Sequence, residues 1–222
     1  PRFFEKLLVG REVHEVPDIT ARICGICPVA YQMSSCHALE KALGIEVSAE
    51  IDLLRRLLYC GEWLQSHALH VHLLHAPDFL GFESGFAMAA THPEMVENGL
   101  KLKALGNRLM EVVGGRAVHP INVTVGGFYK APSSSAIHRL LPELEWGLET
   151  CLTLLKEVAA FEPPTFEATY ECVSLRHDHD YPMNHGRVVS SGGTQSSPLS
   201  IEVEDFNQHF RERQVPQSTA LH

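Results

Sequence analysis

Long apolar runs are missing from these 222 residues. None approaches the roughly 18 residues a membrane-spanning helix needs, and the longest candidate, 152–161, is broken by Lys156 and Glu157. A basic segment followed by an apolar one, the mark of a secretory signal, is missing too. Positive charge is scarce: 18 Lys and Arg against 27 Asp and Glu leave a net charge of −9. Such a chain repels phosphate backbones, which argues against nucleic-acid binding. Cysteines are few and scattered, at 24, 27, 36, 60, 151 and 172, with one close pair. That excludes a secreted disulfide framework and leads us to expect mostly reduced thiols in a cytoplasmic protein. Neither an internal repeat nor a low-complexity linker divides the chain.

What is present reads as a packed helical body. Phe3, Phe4, Leu7 and Leu8 form an amphipathic start closed by Gly10. Pro28, directly after Cys27, suits the first turn of a helix that Gly44 stops. Ser48 caps the next helix, with Glu50 and Asp52 in its favourable first turn. Ile51, Leu54, Leu58, Leu64, Ala68 and Val71 continue it at helical spacing to about His75, and Pro77 ends it. Thr91-His92-Pro93-Glu94 reads as a capping box opening a helix to Gly114-Gly115. Residues 121–129 read as a short β-rich turn and 135–161 as helix, with Pro142 either kinking it or starting its main part. Residues 170–175 suit a strand, 177–200 an ordered surface loop or lid, and Ile201 and Val203 extended chain, with Asp205 capping a last short helix. The expected class is mainly α with minor β.

One motif carries chemistry. In Arg22-Ile23-Cys24-Gly25-Ile26-Cys27 two sulfurs come within reach of one soft metal ion. A helix N-terminus just beyond them, with Arg22 beside them, favours the thiolate form. Gly25 is expected to let the backbone turn tightly between the sulfurs. Two thiolates do not complete a site that usually has four ligands. From the residues alone, a catalytic or structural metal, a redox dithiol and two unrelated buried thiols all stay open.

The surroundings of the motif add to it. The run from Arg22 to Tyr31 resembles the first cysteine motif of the nickel–iron hydrogenase large subunit. The resemblance continues in Arg55-Arg56-Leu57-Leu58-Tyr59-Cys60-Gly61-Glu62-Trp63, in Gln65-Ser66-His67-Ala68-Leu69-His70 and in His75-Ala76-Pro77-Asp78-Phe79-Leu80-Gly81. It extends through Gly114-Gly115-Arg116, His119-Pro120 and Val125-Gly126-Gly127-Phe128-Tyr129, and is nearest the cytoplasmic, bidirectional, NADP-coupled or sulfhydrogenase branch.

The resemblance implies the helical-bundle core of the hydrogenase large-subunit fold, incomplete here, with residues 1–222 an internal fragment of one domain. It implies reversible hydrogen oxidation at a nickel–iron centre whose iron carries cyanide and carbon monoxide. Cys24 would bind nickel terminally and Cys27 would bridge nickel and iron. The proton from hydrogen would go to a nearby base, in this family a terminal thiolate. Iron–sulfur clusters would sit on a small-subunit partner that docks near the cysteine loop. Flavin and NADP(H) would sit on further, diaphorase-type subunits and not on this chain. The family's second Cys-x-x-Cys and its Arg-x-Glu-Gly segment are not in this sequence, so the fragment alone is expected to be inactive. Where many members have His, this chain has Tyr31, which can still donate a hydrogen bond toward a sulfur.

Other residues are weighed beside ordinary roles. His67 and His70, three apart, could face the metal together, while His72 and His75 fall on a different face. Asp78 matches an acidic position in the polar canopy over the metals, or is simply a helix-end aspartate. Arg116 and His119 suit a structural turn or hydrogen bonds behind the ligands. His177, Asp178, His179, Asp180 and His185 read as a solvated loop, and Gly126-Gly127 and Gly192-Gly193 as turns. Two rivals stand beside the hydrogenase reading. One is the related complex I electron-transfer scaffold, which lacks nickel and which retention of both cysteines disfavours; the other is a structural zinc or dithiol module.

Overall fold

The computed structural model describes residues 2–192 and 198–218. The chain divides into two compact units, one spanning Arg2–Pro163 and the other beginning at Pro164.

In the first unit, α1 (Arg2–Leu8) ends ahead of Gly10, whose φ of 85° suits only glycine well. A 3-10 turn, Val13–Glu15, leads into α2 (Val16–Ala21). Helix α3 (Pro28–Leu43) starts and stops as the sequence predicts, with Pro28 in its first turn and Gly44 left-handed at its end. Helix α4 (Ala49–Leu69) is capped by Ser48, whose Oγ accepts the Ile51 N–H at 3.4 Å.

Pro77 does not end this helix. The backbone passes through a π turn, His70–His75, into α5 (Ala76–Leu80), which Gly81 closes at φ 78°. Pro77 sits in the first turn of α5, where its missing N–H costs little, because the wider turn before it restarts the bonding ladder. Beyond α6 (Gly85–Met88) lies α7 (Pro93–Gly114). The expected capping box does not form: His92, not Thr91, precedes the helix, and no side chain caps it. Thr91 is tied back to the preceding turn, its N–H on the Met88 carbonyl at 3.1 Å and its hydroxyl 2.9 Å from His92 Nδ1.

Helices α4 and α7 form the centre of the unit. They run antiparallel, with Gly61 against Met110 and Gly106, and His72 against Gly99. A Cβ on Gly106 would lie 2.5 Å from the Gln65 nitrogen and 2.6 Å from the Gly61 oxygen, so glycine is what lets the backbones meet. Leu58, Leu102, Leu105, Leu109, Met110 and Val113 fill the seam. A small hairpin follows, β1 (Val123–Thr124) with β2 (Gly127–Phe128), pairing Val123 with Phe128. Then come α8 (Ser134–His138) and α9 (Leu141–Val158), with Pro142 in the first turn of α9, the second of the two expected placements.

In the second unit, β3 (Glu171–Arg176), β4 (Arg187–Gly192) and β5 (Ser200–Ile201) form an antiparallel sheet in that order. Residues 187–192, expected in a loop, form a strand because Val188 and Ser190 alternate onto its buried side. Residues 193–197 of that expected loop lie outside the described residues. Val203, expected extended, opens a 3-10 turn, Val203–Asp205, closed by the Asp205 N–H on the Glu202 carbonyl. Asp205 does not cap α10 (Phe206–His209) with its side chain; its carboxylate accepts from Gln208 Nε2 at 2.8 Å instead.

Candidate metal centre

Cys24 and Cys27 sit on the loop between α2 and α3, with Cα atoms 5.5 Å apart and the two sulfurs directly joined as a disulfide. Reduced thiols were expected here. The joined pair reflects the same convergence that lets both sulfurs address one ion. The turn owes nothing to a special glycine: Gly25 has no left-handed φ, and a Cβ there would meet nothing within 4 Å. The Cys27 N–H donates to Cys24 Sγ at 3.1 Å and closes the turn itself.

The loop is held from α4. Val29 N–H, in the first turn of α3, donates to Glu62 Oε2 at 2.6 Å. Gln65 Nε2, one turn further along α4, donates to the Ile26 carbonyl at 2.8 Å. Glu62 is 2% exposed and Gln65 7%. Burial pushes the Glu62 carboxyl up to about 7, against the pull of the nearby Val29 and Ala30 N–H groups.

The other candidate residues divide. Arg22 ends α2 and lines an open cavity of about 560 Å³ with Phe4, Leu7, Asp18 and Tyr129. His119 lies near it at an unusual φ of 52°, with its Nδ1 buried and unpartnered. Burial and the charge of Arg22 hold its imidazole below the ordinary range, though the Ala21 carbonyl pulls upward. Arg116 Nε donates to the carbonyls of Val118 and His119, as expected of a structural turn. Tyr31 lies half-exposed on the first turn of α3 and bonds to neither sulfur.

His67 and His70 are not brought together. His67 is bonded to the Trp63 carbonyl at 2.7 Å, whereas the ring of His70 lies 4.2 Å from that of His75. The π turn is the reason: its i to i+5 spacing lines up residues that an α-helix would separate. Asp78 is exposed, 3.9 Å from His75 Nδ1. His72 is buried, with Nδ1 donating to the Ala68 carbonyl at 3.0 Å. In the second unit, His177 Nδ1 accepts the Asp180 N–H at 3.0 Å, an exposed loop contact.

Among the described residues no group of three or more His, Cys, Asp and Glu side chains could hold a metal. The donors fit a soft metal as far as they go: two sulfurs converge at a helix N-terminus and fill two of the usual four positions.

A sequence profile described as nickel-dependent hydrogenase matches residues 2–100. Two relatives come from Pyrococcus furiosus. The sulfhydrogenase 2 alpha subunit is 46% identical over 140 residues, 63% of this chain and 34% of that subunit. The sulfhydrogenase 1 alpha subunit is 33% identical over 225 residues, 100% of this chain and 51% of that subunit. The solved structure of an NAD+-reducing [NiFe]-hydrogenase in its H2-reduced state superposes with a TM-score of 0.81 at 26% identity, over 96% of this chain and 51% of that one. This helical fold and these matches define the class, and the chain belongs to the nickel-dependent hydrogenase family. Within that family it corresponds to part of the large, or alpha, subunit, spanning about a third to a half of the length of the relatives it matches.

Glu62 and Gln65 were missed from sequence as site residues, though both stood inside the matching run. Their signal is polarity on the stripe that buries Leu58 and Ala68, where an uncharged apolar face is the norm.

Proposed function

We propose that this chain carries half of the metal site of a hydrogenase that interconverts dihydrogen with protons and electrons. The observation that carries the proposal is the convergence of the Cys24 and Cys27 sulfurs at the start of α3 in a chain of this family. Cys24 would hold nickel, and Cys27 would help to hold both nickel and iron. When bound, the centre supplies a soft, redox-tunable Lewis acid that polarises dihydrogen. This chain's part is to present the two thiolates, to take up a proton at Cys24 Sγ, and to fix the loop from α4. Arg22 adds positive charge beside the thiolates.

Electrons would leave through an iron–sulfur small subunit, with flavin and NADP(H) on diaphorase-type subunits. The likeness to an NAD+-reducing [NiFe]-hydrogenase supports coupling to a pyridine nucleotide. We place the enzyme in the cytoplasm. Cys36, Cys60, Cys151 and Cys172 stay unpaired, which fits a reducing compartment, and no helix of the described residues is long and apolar enough to cross a membrane.

The test is metal analysis of the full-length protein purified with its partners, together with hydrogen-dependent reduction of a viologen dye. Nickel and iron in comparable amounts, with dye reduction, are expected. Zinc without nickel or iron overturns the proposal.

A further inference from the structure

Helix α3 begins at a residue that cannot cap it. Cys27 occupies the N-cap position and makes no side-chain bond to the first turn. The free N–H groups of a helix start need acceptors, which a local Ser or Asp normally supplies. Here the acceptor comes from another helix: the Glu62 carboxylate takes the N–H group of Val29 at 2.6 Å.

Gln65 acts on the other side of the cysteine. Its amide holds the Ile26 carbonyl, and that carbonyl shares one peptide unit with the Cys27 N–H. The unit is planar. Fixing the carbonyl therefore fixes the N–H, which donates to Cys24 Sγ at 3.1 Å. One rigid plane thus joins Gln65 to the sulfur of Cys24. Ile26 itself is 51% exposed, so packing does not hold this peptide in place. Gln65 is set in turn by Gly106, whose backbone approaches its nitrogen more closely than any side chain would allow.

We infer that Glu62 and Gln65 are positioning residues that set the orientation of the Cys24 and Cys27 sulfurs, Glu62 by capping α3 in place of Cys27 and Gln65 through the Ile26–Cys27 peptide. The inference rests on the metal-site reading above. It also distinguishes the pair from an ordinary helix clamp, which would affect stability alone.

The test uses the full-length large subunit in its assembled complex. Glu62→Leu removes both acceptors, while Glu62→Gln keeps one. Gln65→Leu removes the donor, and Gln65→Glu removes it at constant size. Nickel per chain, the g-values of the nickel electron paramagnetic resonance spectrum and Tm are measured for each. We expect Glu62→Leu and both Gln65 variants to shift the g-values and to lower nickel occupancy about tenfold, the scale seen when residues behind metal ligands are removed. Glu62→Gln should retain the wild-type spectrum. Glu62→Leu and Gln65→Glu with lowered Tm but wild-type nickel content and g-values would overturn the inference while leaving the metal-site reading intact. A wild-type complex free of nickel overturns that reading and the inference with it.

Discussion

Arg55 on α4 closes on Glu40 of α3 through two hydrogen bonds, Nη1 to Oε2 at 2.9 Å and Nη2 to Oε1 at 2.5 Å. Both are buried, and the pair reaches further than the two helices. Glu40 also accepts the Gly126 N–H at 2.7 Å, and Arg55 donates to the Thr124 carbonyl at 3.2 Å. One ion pair therefore ties the C-terminal part of α3, the N-terminal part of α4 and the hairpin together.

Breaking that pair from one side leaves a buried, uncompensated charge. Glu40→Ala should cost about 3–5 kcal/mol in urea unfolding. Replacing both partners, with Glu40→Leu and Arg55→Met, should cost less than the single change. Burial pushes the Glu40 carboxyl up, but the hydrogen bonds from Arg55 and Gly126 and the charge of Arg55 outweigh it and hold the group below its ordinary value. Its contribution is thus present above the ordinary carboxylate range and lost as pH falls through the depressed value.

Glu62 has the opposite sign. Its carboxyl rises from 4.5 to about 7 in the folded chain. Between those values the folded state holds a proton that the unfolded state has released, so stability falls as pH rises through the window and levels off above it. The span is about 3 kcal/mol. Glu62→Gln removes the titration. Unfolding free energies at pH 5 and pH 8 should show the variant gaining on the wild type by about that amount.

The α4–α7 seam is sensitive at Gly106. Gly106→Ala would press a methyl group onto backbone atoms of Gln65 and Gly61, neither of which can swing aside. A loss of about 1–3 kcal/mol is expected in thermal or denaturant unfolding. Gly25→Ala is the control: nothing lies within 4 Å of the added Cβ, and the change should stay within about 0.5 kcal/mol.

The parts of this fold legible in sequence are those decided by neighbours. Pro28, Gly44 and Ser48 mark helix ends by local chemistry, and each does so in the structure. The cysteine pair is equally local, three residues apart. What escaped depends on distant partners. Val29 and Glu62 are 33 residues apart, and Ile26 and Gln65 are 39 apart, so no window along the chain contains either bond. The π turn was hidden for a related reason. Spacing from Ile51 to Val71 is helical throughout, and only the restart at Pro77 betrays the extra residue that moves His70 onto His75. The expected capping box failed because Thr91 was already used by the turn before it.

As nickel ligands, Cys24 and Cys27 should both contribute a sulfur to the metal's coordination shell. Nickel K-edge X-ray absorption on the full-length protein, as wild type and as Cys24→Ser, tests this most directly, with the buried Cys36→Ser as control. Sulfur-dominated coordination is expected in the wild type and the control, with loss of nickel or of one Ni–S scatterer in Cys24→Ser. An unchanged nickel shell in Cys24→Ser would contradict this assignment.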